Sequence, residues 1–122
     1  MTGKRALIVD DAPTAVEVLR RSLAQMDIDC DGVDSAEAAL EYLGDADDMP
    51  DYVFMDVMMP GMNGFDATEK ILSEEKTEKL PVIIYTTLNR SEDKSKAKAV
   101  GASAFLSKPF SQADLAKCMS KV

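Results

Sequence analysis

The stretch DYVFMDVMMPGMNG, residues 51–64, decides the fold of this 122-residue chain. Its apolar part, Tyr52–Met55, has β-branched and aromatic residues without helical spacing, which predicts a buried strand. The strand ends on a carboxylate, Asp56, and the pairs Pro60-Gly61 and Asn63-Gly64 are turn signals before a helical pattern. Ligands of open α/β sheets bind at the carboxyl ends of strands, so Asp56 is the first candidate for a functional residue.

Composition narrows the classes of function. The chain has 46% hydrophobic and 30% charged residues, which is ordinary for one globular domain over residues 1–122. Its net charge of −8 opposes binding to nucleic acid or to an anionic membrane surface. The lack of histidine excludes histidine-based catalysis and most transition-metal sites. No apolar run has the length of a membrane span or signal peptide, so we expect a cytoplasmic protein with Cys30 and Cys118 reduced.

Strand and helix patterns alternate five times along the chain. The predicted strands cover residues 6–9, 28–30, 52–55, 81–85 and 104–107, and helices follow them at about 13–26, 35–44, 64–75, 91–101 and 111–122. The N-caps predicted for the second, fourth and fifth helices are Ser35, Ser91 and Ser111. The short second strand alternates with aspartates and is typical of a sheet edge. This alternation predicts a doubly wound α/β domain with parallel strands and helices on both faces.

Polar side chains follow four of the predicted strands. Asp10 and Asp11 follow the first strand, Asp56 the third, Thr86 the fourth and Lys108 the fifth. Three carboxylates at one edge repel one another, and a hard divalent cation such as Mg²⁺ relieves this by taking their oxygens as ligands. A hydroxyl and an ammonium opposite that metal form a receptacle for a phosphoryl group. Asp56 then has the position of a nucleophile that forms an acyl phosphate.

Four motifs together resemble the receiver domain of two-component response regulators. They are VDD at 9–11, MDVMMPGMNG at 55–64, Thr86 after the apolar run 82–85, and GASAFLSKPF at 101–110. The resemblance covers nearly the whole chain. It implies a flavodoxin-like, CheY-like sheet of five parallel strands in the order 2-1-3-4-5, with five helices on both faces.

The resemblance implies a role for each residue at the strand ends. Asp56 would be the phosphoacceptor and would also contact Mg²⁺. Asp11 would be a direct metal ligand, Asp10 would hold metal-bound water, and the backbone carbonyl of Met58 would complete the protein ligands. Lys108 would bridge to the phosphoryl oxygens.

Two further positions match the switch residues of the family. Thr86 would be the hydroxyl that moves toward the phosphoryl group, and Phe105 the aromatic ring that turns inward with it. The Lys108–Pro109 bond is expected to be cis, which X-Pro bonds tolerate.

Several positions depart from the best-known chemotaxis pattern. Phe105 has no hydroxyl to offer a partner, and Thr87 stands where the family usually has a smaller residue. Met58 and Leu88 lie two residues after Asp56 and Thr86, at positions that tune dephosphorylation in the family. Because both side chains are apolar and cannot orient an attacking water, we predict slow hydrolysis of the phosphoryl group.

The fourth predicted helix is unusually basic for this chain. Its lysines are Lys94, Lys96 and Lys98. One interpretation is a solvated helix with a Glu92–Lys96 pair at i, i+4 spacing. The other is a partner surface of the fourth helix, fifth strand and fifth helix, which is where receivers usually signal. Both interpretations remain open.

The sequence thus predicts a monomeric signalling protein that catalyses only its own phosphorylation and dephosphorylation. A sensor histidine kinase or phosphotransfer protein would donate the phosphoryl group. Because no output domain follows Val122, the expected output is contact with a downstream protein, in chemotaxis or motility. The alternatives are a phosphate sink or relay intermediate, and an interaction module that is not phosphorylated.

Two other classes fit the sequence less well. A phosphatase of the haloacid dehalogenase type has its nucleophile in a DxD motif after the first strand, whereas Asp10 and Asp11 are adjacent. A flavodoxin-like electron carrier needs a phosphate-binding loop at that point, and the same two carboxylates would repel a phosphate.

Overall fold

The computed structural model describes residues 3–122, in which five strands alternate with five helices. The strands are β1 (Lys4–Val9), β2 (Ile28–Val33), β3 (Tyr52–Met55), β4 (Val82–Thr86) and β5 (Ala104–Ser107). The helices are α1 (Pro13–Ala24), α2 (Ala36–Asp45), α3 (Gly64–Ser73), α4 (Ser91–Ala99) and α5 (Gln112–Met119). None of these helices combines the length and the apolar character that crossing a bilayer requires.

All five strands are parallel and follow the order β2-β1-β3-β4-β5. This confirms the predicted doubly wound sheet and the edge position of β2. The order reverses at β1, which pairs with β2 on one side and β3 on the other. Sites of doubly wound proteins lie outside the carboxyl ends of the strands at this switch point.

The sheet carries one apolar layer on each face. Helices α2, α3 and α4 cover one face through small and branched residues that are fully or nearly buried: Ala36, Ala39, Leu43, Phe65, Ala67, Ile71 and Ala97. Helices α1 and α5 cover the other face through Leu19, Leu23, Leu115, Cys118 and Met119. Because both faces are buried, the central strands are continuous apolar runs, and the polar residues accumulate at their ends.

Helix caps account for several element boundaries. The hydroxyls of Ser35 and Ser111 accept hydrogen bonds from backbone amides in the first turn, which confirms these two caps. The prediction of Ser91 as a cap was wrong, because Ser91 is the first residue of α4 and Arg90 occupies the cap position. The buried Asp93 carboxylate accepts the Arg90 backbone N–H at 3.1 Å, so the capping acid comes from inside the helix.

Other boundaries also differ from the prediction. β2 extends to Val33 because β1 pairs with it over six residues, from Lys4 opposite Ile28 to Val9 opposite Val33. The third helix ends at Ser73. The fifth helix ends at Met119, so Val122, the last residue of the predicted helix, lies beyond it and is exposed.

Gly64, the first residue of α3, lies against the backbone of Asp56, the residue that follows β3. A Cβ at position 64 would lie 2.1 Å from the carbonyl oxygen of Asp56. We expect Gly64→Ala to lower the free energy of unfolding by about 2 kcal/mol, because the loop backbone must move to relieve this overlap. Gly44→Ala in α2 is the matched control, since a Cβ there has no neighbour within 4 Å. That variant should gain about 0.5–1 kcal/mol from helix propensity. Equal urea midpoints for the two variants would contradict this account.

Candidate functional site

The sheet register brings two aspartates side by side. Val9 and Met55 are partners across β1 and β3, and the Asp56 amide donates to the Val9 carbonyl at 3.0 Å. Asp10 and Asp56 are therefore the next residues on adjacent strands, at the carboxyl edge of the sheet. Both are nearly fully buried, with 3% and 6% of their surface exposed.

Asp10, Asp11 and Asp56 form a compact cluster of carboxylates. One oxygen from each lies within 4.8 Å of the others, with Asp11 exposed and the other two buried. Backbone amides orient the buried pair, because Ala12 donates to Asp10 Oδ1 and Val57 donates to Asp56 Oδ1, each at 2.9 Å.

Lys108 reaches both buried carboxylates from the end of β5. Its Nζ donates to Asp10 Oδ2 at 2.8 Å and lies 3.5 Å from Asp56 Oδ1. The Lys108–Pro109 peptide is cis, as predicted. The Lys108 amide also donates to the Thr86 carbonyl at 2.8 Å, which fixes this segment against the end of β4.

The two buried aspartates have opposite pKa shifts. Burial raises the pKa of Asp56 to about 6, which Lys108 opposes and the charge of Asp10 reinforces. Burial also acts to raise the pKa of Asp10, but hydrogen bonds from Lys108, Tyr85 and a backbone amide together hold it below its ordinary value. Asp10 is thus held in its ionised form by its donors, whereas Asp56 has a pKa that is raised toward neutral pH.

Sequence reasoning missed Tyr85, the last residue but one of β4. Its hydroxyl donates to Asp10 Oδ2 at 2.6 Å, and Lys108 Nζ lies 4.2 Å from its ring centroid. The sequence did contain a signal for this role, because a tyrosine in a buried aliphatic strand needs a hydrogen-bond partner for its hydroxyl. Since Tyr85 lies one residue before the strand end, that partner was to be expected among the acids at the sheet edge.

Thr86 and Phe105, the two predicted switch residues, lie on neighbouring strands. Thr86 is fully buried, and its hydroxyl oxygen accepts the backbone N–H of Leu88 at 3.2 Å. Phe105 is half-buried against the apolar layer beneath α4. Leu88 packs partly against the same layer.

The loop between β3 and α3 carries Met58, which is 60% exposed. The Glu37 carboxylate of α2 holds this loop in place, because it accepts a hydrogen bond from the backbone N–H of Met62 at 3.1 Å. Gly61 has a φ of +82° in the same loop, and a Cβ there would lie 2.8 Å from that carboxylate. A side chain at position 61 would therefore be strained by the backbone conformation and would displace the Glu37 carboxylate.

The carboxylate cluster fits a hard divalent cation. Its donor atoms are all oxygens, and the three acids can approach one ion together. Within residues 3–122 this is the one group of three or more acids, cysteines or histidines with that spacing. An oxygen-only donor set favours Mg²⁺ over softer metals.

Two lysines of α4 lie close to aromatic rings. Lys94 Nζ lies 6.0 Å from the ring centroid of Phe105, and Lys96 Nζ lies 5.2 Å from that of Phe65. The Glu92–Lys96 ion pair of the first interpretation is absent from the described part of the chain, where Glu92 pairs with Arg90 at 3.2 Å instead.

The sequence of the chain matches a known protein family. The family model of the response regulator receiver domain covers residues 6–120. The chain belongs to this family. Proteins of this class are signalling proteins of two-component systems rather than conventional enzymes, so the acidic site of this receiver belongs to a signalling domain.

Relatives and solved structures cover almost the whole receiver. Protein PilH of Pseudomonas aeruginosa is 36% identical over 97% of this chain and 96% of its own length. Protein PilG of the same organism is 27% identical over 93% of this chain and 82% of its own length. The chemotaxis protein CheY4 of Vibrio cholerae superposes with a TM-score of 0.87 at 28% identity, covering 98% of each chain.

Proposed function

We propose that this receiver is a phosphorylation-driven switch that accepts a phosphoryl group on Asp56. The observation that carries the proposal is the placement of the Asp56 carboxylate between Lys108 Nζ, 3.5 Å away, and two further acids able to share one cation. A nucleophilic carboxylate, a cation and a metal site are the three parts that phosphoryl transfer to an aspartate needs.

The chemistry follows from the charge state of Asp56. With a pKa of about 6, the side chain is mostly ionised above neutral pH and can attack phosphorus. In the proposed reaction one Asp56 oxygen forms a bond to the phosphoryl group as the P–N bond of a phosphohistidine breaks. The histidine nitrogen leaves with the electron pair and takes a proton from solvent.

Mg²⁺ is the proposed cofactor, and Asp11, Asp56 and the carbonyl of Met58 would hold it, with Asp10 acting through metal-bound water. When bound, the ion would supply positive charge for the phosphoryl oxygens. Lys108 is the proposed second cation for those oxygens.

The proposed donors are a sensor histidine kinase or a phosphotransfer protein. The proposed output is contact with a downstream protein through α4, β5 and α5, after Thr86 and Phe105 rearrange. A cytoplasmic location is part of the proposal, because the ATP that feeds a histidine kinase is there. Chemotaxis or motility is the proposed process, supported by the likeness to the chemotaxis protein CheY4.

The test is incubation with Mg²⁺ and acetyl phosphate, followed by intact mass. We expect a gain of one phosphoryl group that requires Mg²⁺ and disappears in Asp56→Asn. An unchanged mass for the native chain under these conditions would favour an interaction module that works without phosphorylation.

Two apolar side chains predict slow loss of the phosphoryl group. The side chains of Met58 and Leu88 offer no hydrogen-bond donor and no strong acceptor to orient an attacking water, and Leu88 is partly buried. We expect the double variant Met58→Asn, Leu88→Glu to accelerate decay roughly tenfold, which corresponds to about 1.4 kcal/mol of barrier. The decay of the phosphorylated mass after removal of the donor measures this. The apolar control is Met58→Leu with Leu88→Met, and equal decay rates in both double variants would refute the prediction.

A further inference from the structure

Tyr85 contacts both charged partners of the site. The hydroxyl donates to Asp10 Oδ2 at 2.6 Å, and Lys108 Nζ lies over the ring, 4.2 Å from its centroid. The residue is fully buried, and its ring meets Phe54 edge-on with centroids 6.2 Å apart. The ring is therefore fixed by the core, while the hydroxyl is aimed at a charged group.

Asp10 has two donors on the same oxygen. Oδ2 accepts from Lys108 at 2.8 Å and from Tyr85 at 2.6 Å, whereas Oδ1 accepts the Ala12 amide. With 3% of Asp10 exposed, bulk water has little access to replace a lost donor. A buried carboxylate oxygen that loses its donor is destabilised strongly, so the second donor matters whenever Lys108 moves.

Lys108 is shared unequally between two acids. Its Nζ lies 2.8 Å from Asp10 but 3.5 Å from Asp56, so it is held on the Asp10 side. A phosphoryl group on Asp56 adds negative charge and strong acceptor oxygens on the other side. Serving those oxygens requires Lys108 to weaken its bond to Asp10.

We propose that Tyr85 is a positioning residue whose hydroxyl keeps Asp10 satisfied while Lys108 turns toward the phosphoryl group on Asp56. This inference rests on the proposed function. The ring contributes a face along which the ammonium stays stabilised by cation–π attraction during the shift. The hydroxyl thus stabilises the phosphorylated state more than the unphosphorylated state, because Asp10 still has its hydrogen bond from Lys108 in the latter.

The test compares Tyr85→Phe with Tyr42→Phe. Tyr85→Phe removes the hydroxyl and keeps the ring beside Lys108. Tyr42 also donates to an aspartate, Asp31 at 2.7 Å, but on the exposed surface between α2 and β2, so its variant is a matched control. At saturating Mg²⁺ we expect Tyr85→Phe to slow phosphorylation by acetyl phosphate roughly tenfold, as for a lost hydrogen bond to a buried charge. The control should stay within about twofold of the native rate.

A double-mutant cycle separates positioning from general damage to the core. In the Asp10→Asn background the carboxylate that Tyr85 serves has lost its charge, so the effect of Tyr85→Phe should fall below about threefold. A full tenfold effect of Tyr85→Phe in that background would overturn the proposal, because the hydroxyl would then act through something other than the Asp10 charge.

A second measurement does not depend on phosphorylation. In metal-free protein, the ¹⁵N resonance of Lys108 Nζ should shift in Tyr85→Phe and remain in place in Tyr42→Phe, because only the first variant changes the competition for Asp10 Oδ2. If the native chain takes up no phosphoryl group, the proposed function fails while this shift still reports on the contact. Native phosphorylation rates together with an unshifted Lys108 resonance in Tyr85→Phe would refute the role of Tyr85.

Discussion

Lys108→Met is expected to slow phosphoryl uptake by about 100-fold or more, because it removes a fixed positive charge from the transferred oxygens. The same change should lower the free energy of unfolding of the metal-free protein by about 2 kcal/mol. Asp10 and Asp56 are both buried, and each lies within 4 Å of the lysine ammonium. This loss is smaller than for a fully buried ion pair, because 17% of the lysine side chain is exposed.

Lys79→Met is the matched control, since Lys79 lies exposed in the segment between α3 and β4. It removes the same charge at a distance from the acidic edge, so urea unfolding and phosphorylation rate should both stay close to native values. A Lys108→Met protein that is as stable as Lys79→Met in EDTA would show that the carboxylates do not depend on this cation. A native phosphorylation rate in Lys108→Met would show that phosphoryl transfer does not depend on this cation either.

Asp56→Asn is expected to change how stability depends on pH. Burial raises the folded-state pKa of Asp56 from its ordinary 3.8 to about 6. The folded chain therefore binds this proton more tightly than the unfolded chain, and its stabilising contribution is complete below pH 3.8 and lost as the pH rises through about 6. Above that range the ionised Asp56 destabilises the metal-free native protein by up to about 3 kcal/mol relative to acid conditions.

The asparagine variant lacks this titration. In EDTA, its stability relative to the native chain should rise between about pH 4 and pH 7 by up to about 3 kcal/mol and then level off. Urea unfolding across this range measures the difference, and Asp47→Asn on the exposed loop after α2 is the control. Mg²⁺ at neutral pH should stabilise the native chain more than the variant, because binding to the folded state adds to its stability. A constant difference between the two proteins across the pH range would show that Asp56 has no raised pKa.

The chain layout and the main contents of the site could be predicted from the sequence. Continuous apolar runs identified the central strands, and parallel strands end at one edge. Residues directly after those runs therefore had to gather there, as the structure finds for Asp10, Asp56 and Lys108. The sequence predicted which side chains meet at this edge, but not the distances between their atoms.

Features that depend on three-dimensional neighbours could not be predicted in this way. The length of β2 depends on its six-residue pairing with β1, because its own sequence alternates with aspartates and glycine. The cap of α4 depends on Asp93 turning back to Arg90, whereas Ser91 had the more typical side chain. The Tyr85–Asp10 hydrogen bond joins residues 75 positions apart, so only the strand register shows that they meet.

Chemical trapping of the phosphorylated residue tests the central claim most directly. Sodium borohydride reduces an acyl phosphate to an alcohol with release of phosphate, so phosphorylated Asp56 would become homoserine. After treatment with acetyl phosphate and Mg²⁺ and then borohydride, peptide mapping should find homoserine at position 56 and leave Asp10 and Asp11 as aspartate. Samples with EDTA should contain none. Homoserine at another aspartate, or at none in a sample that has gained phosphoryl mass, would contradict the assignment of Asp56 as the phosphoacceptor.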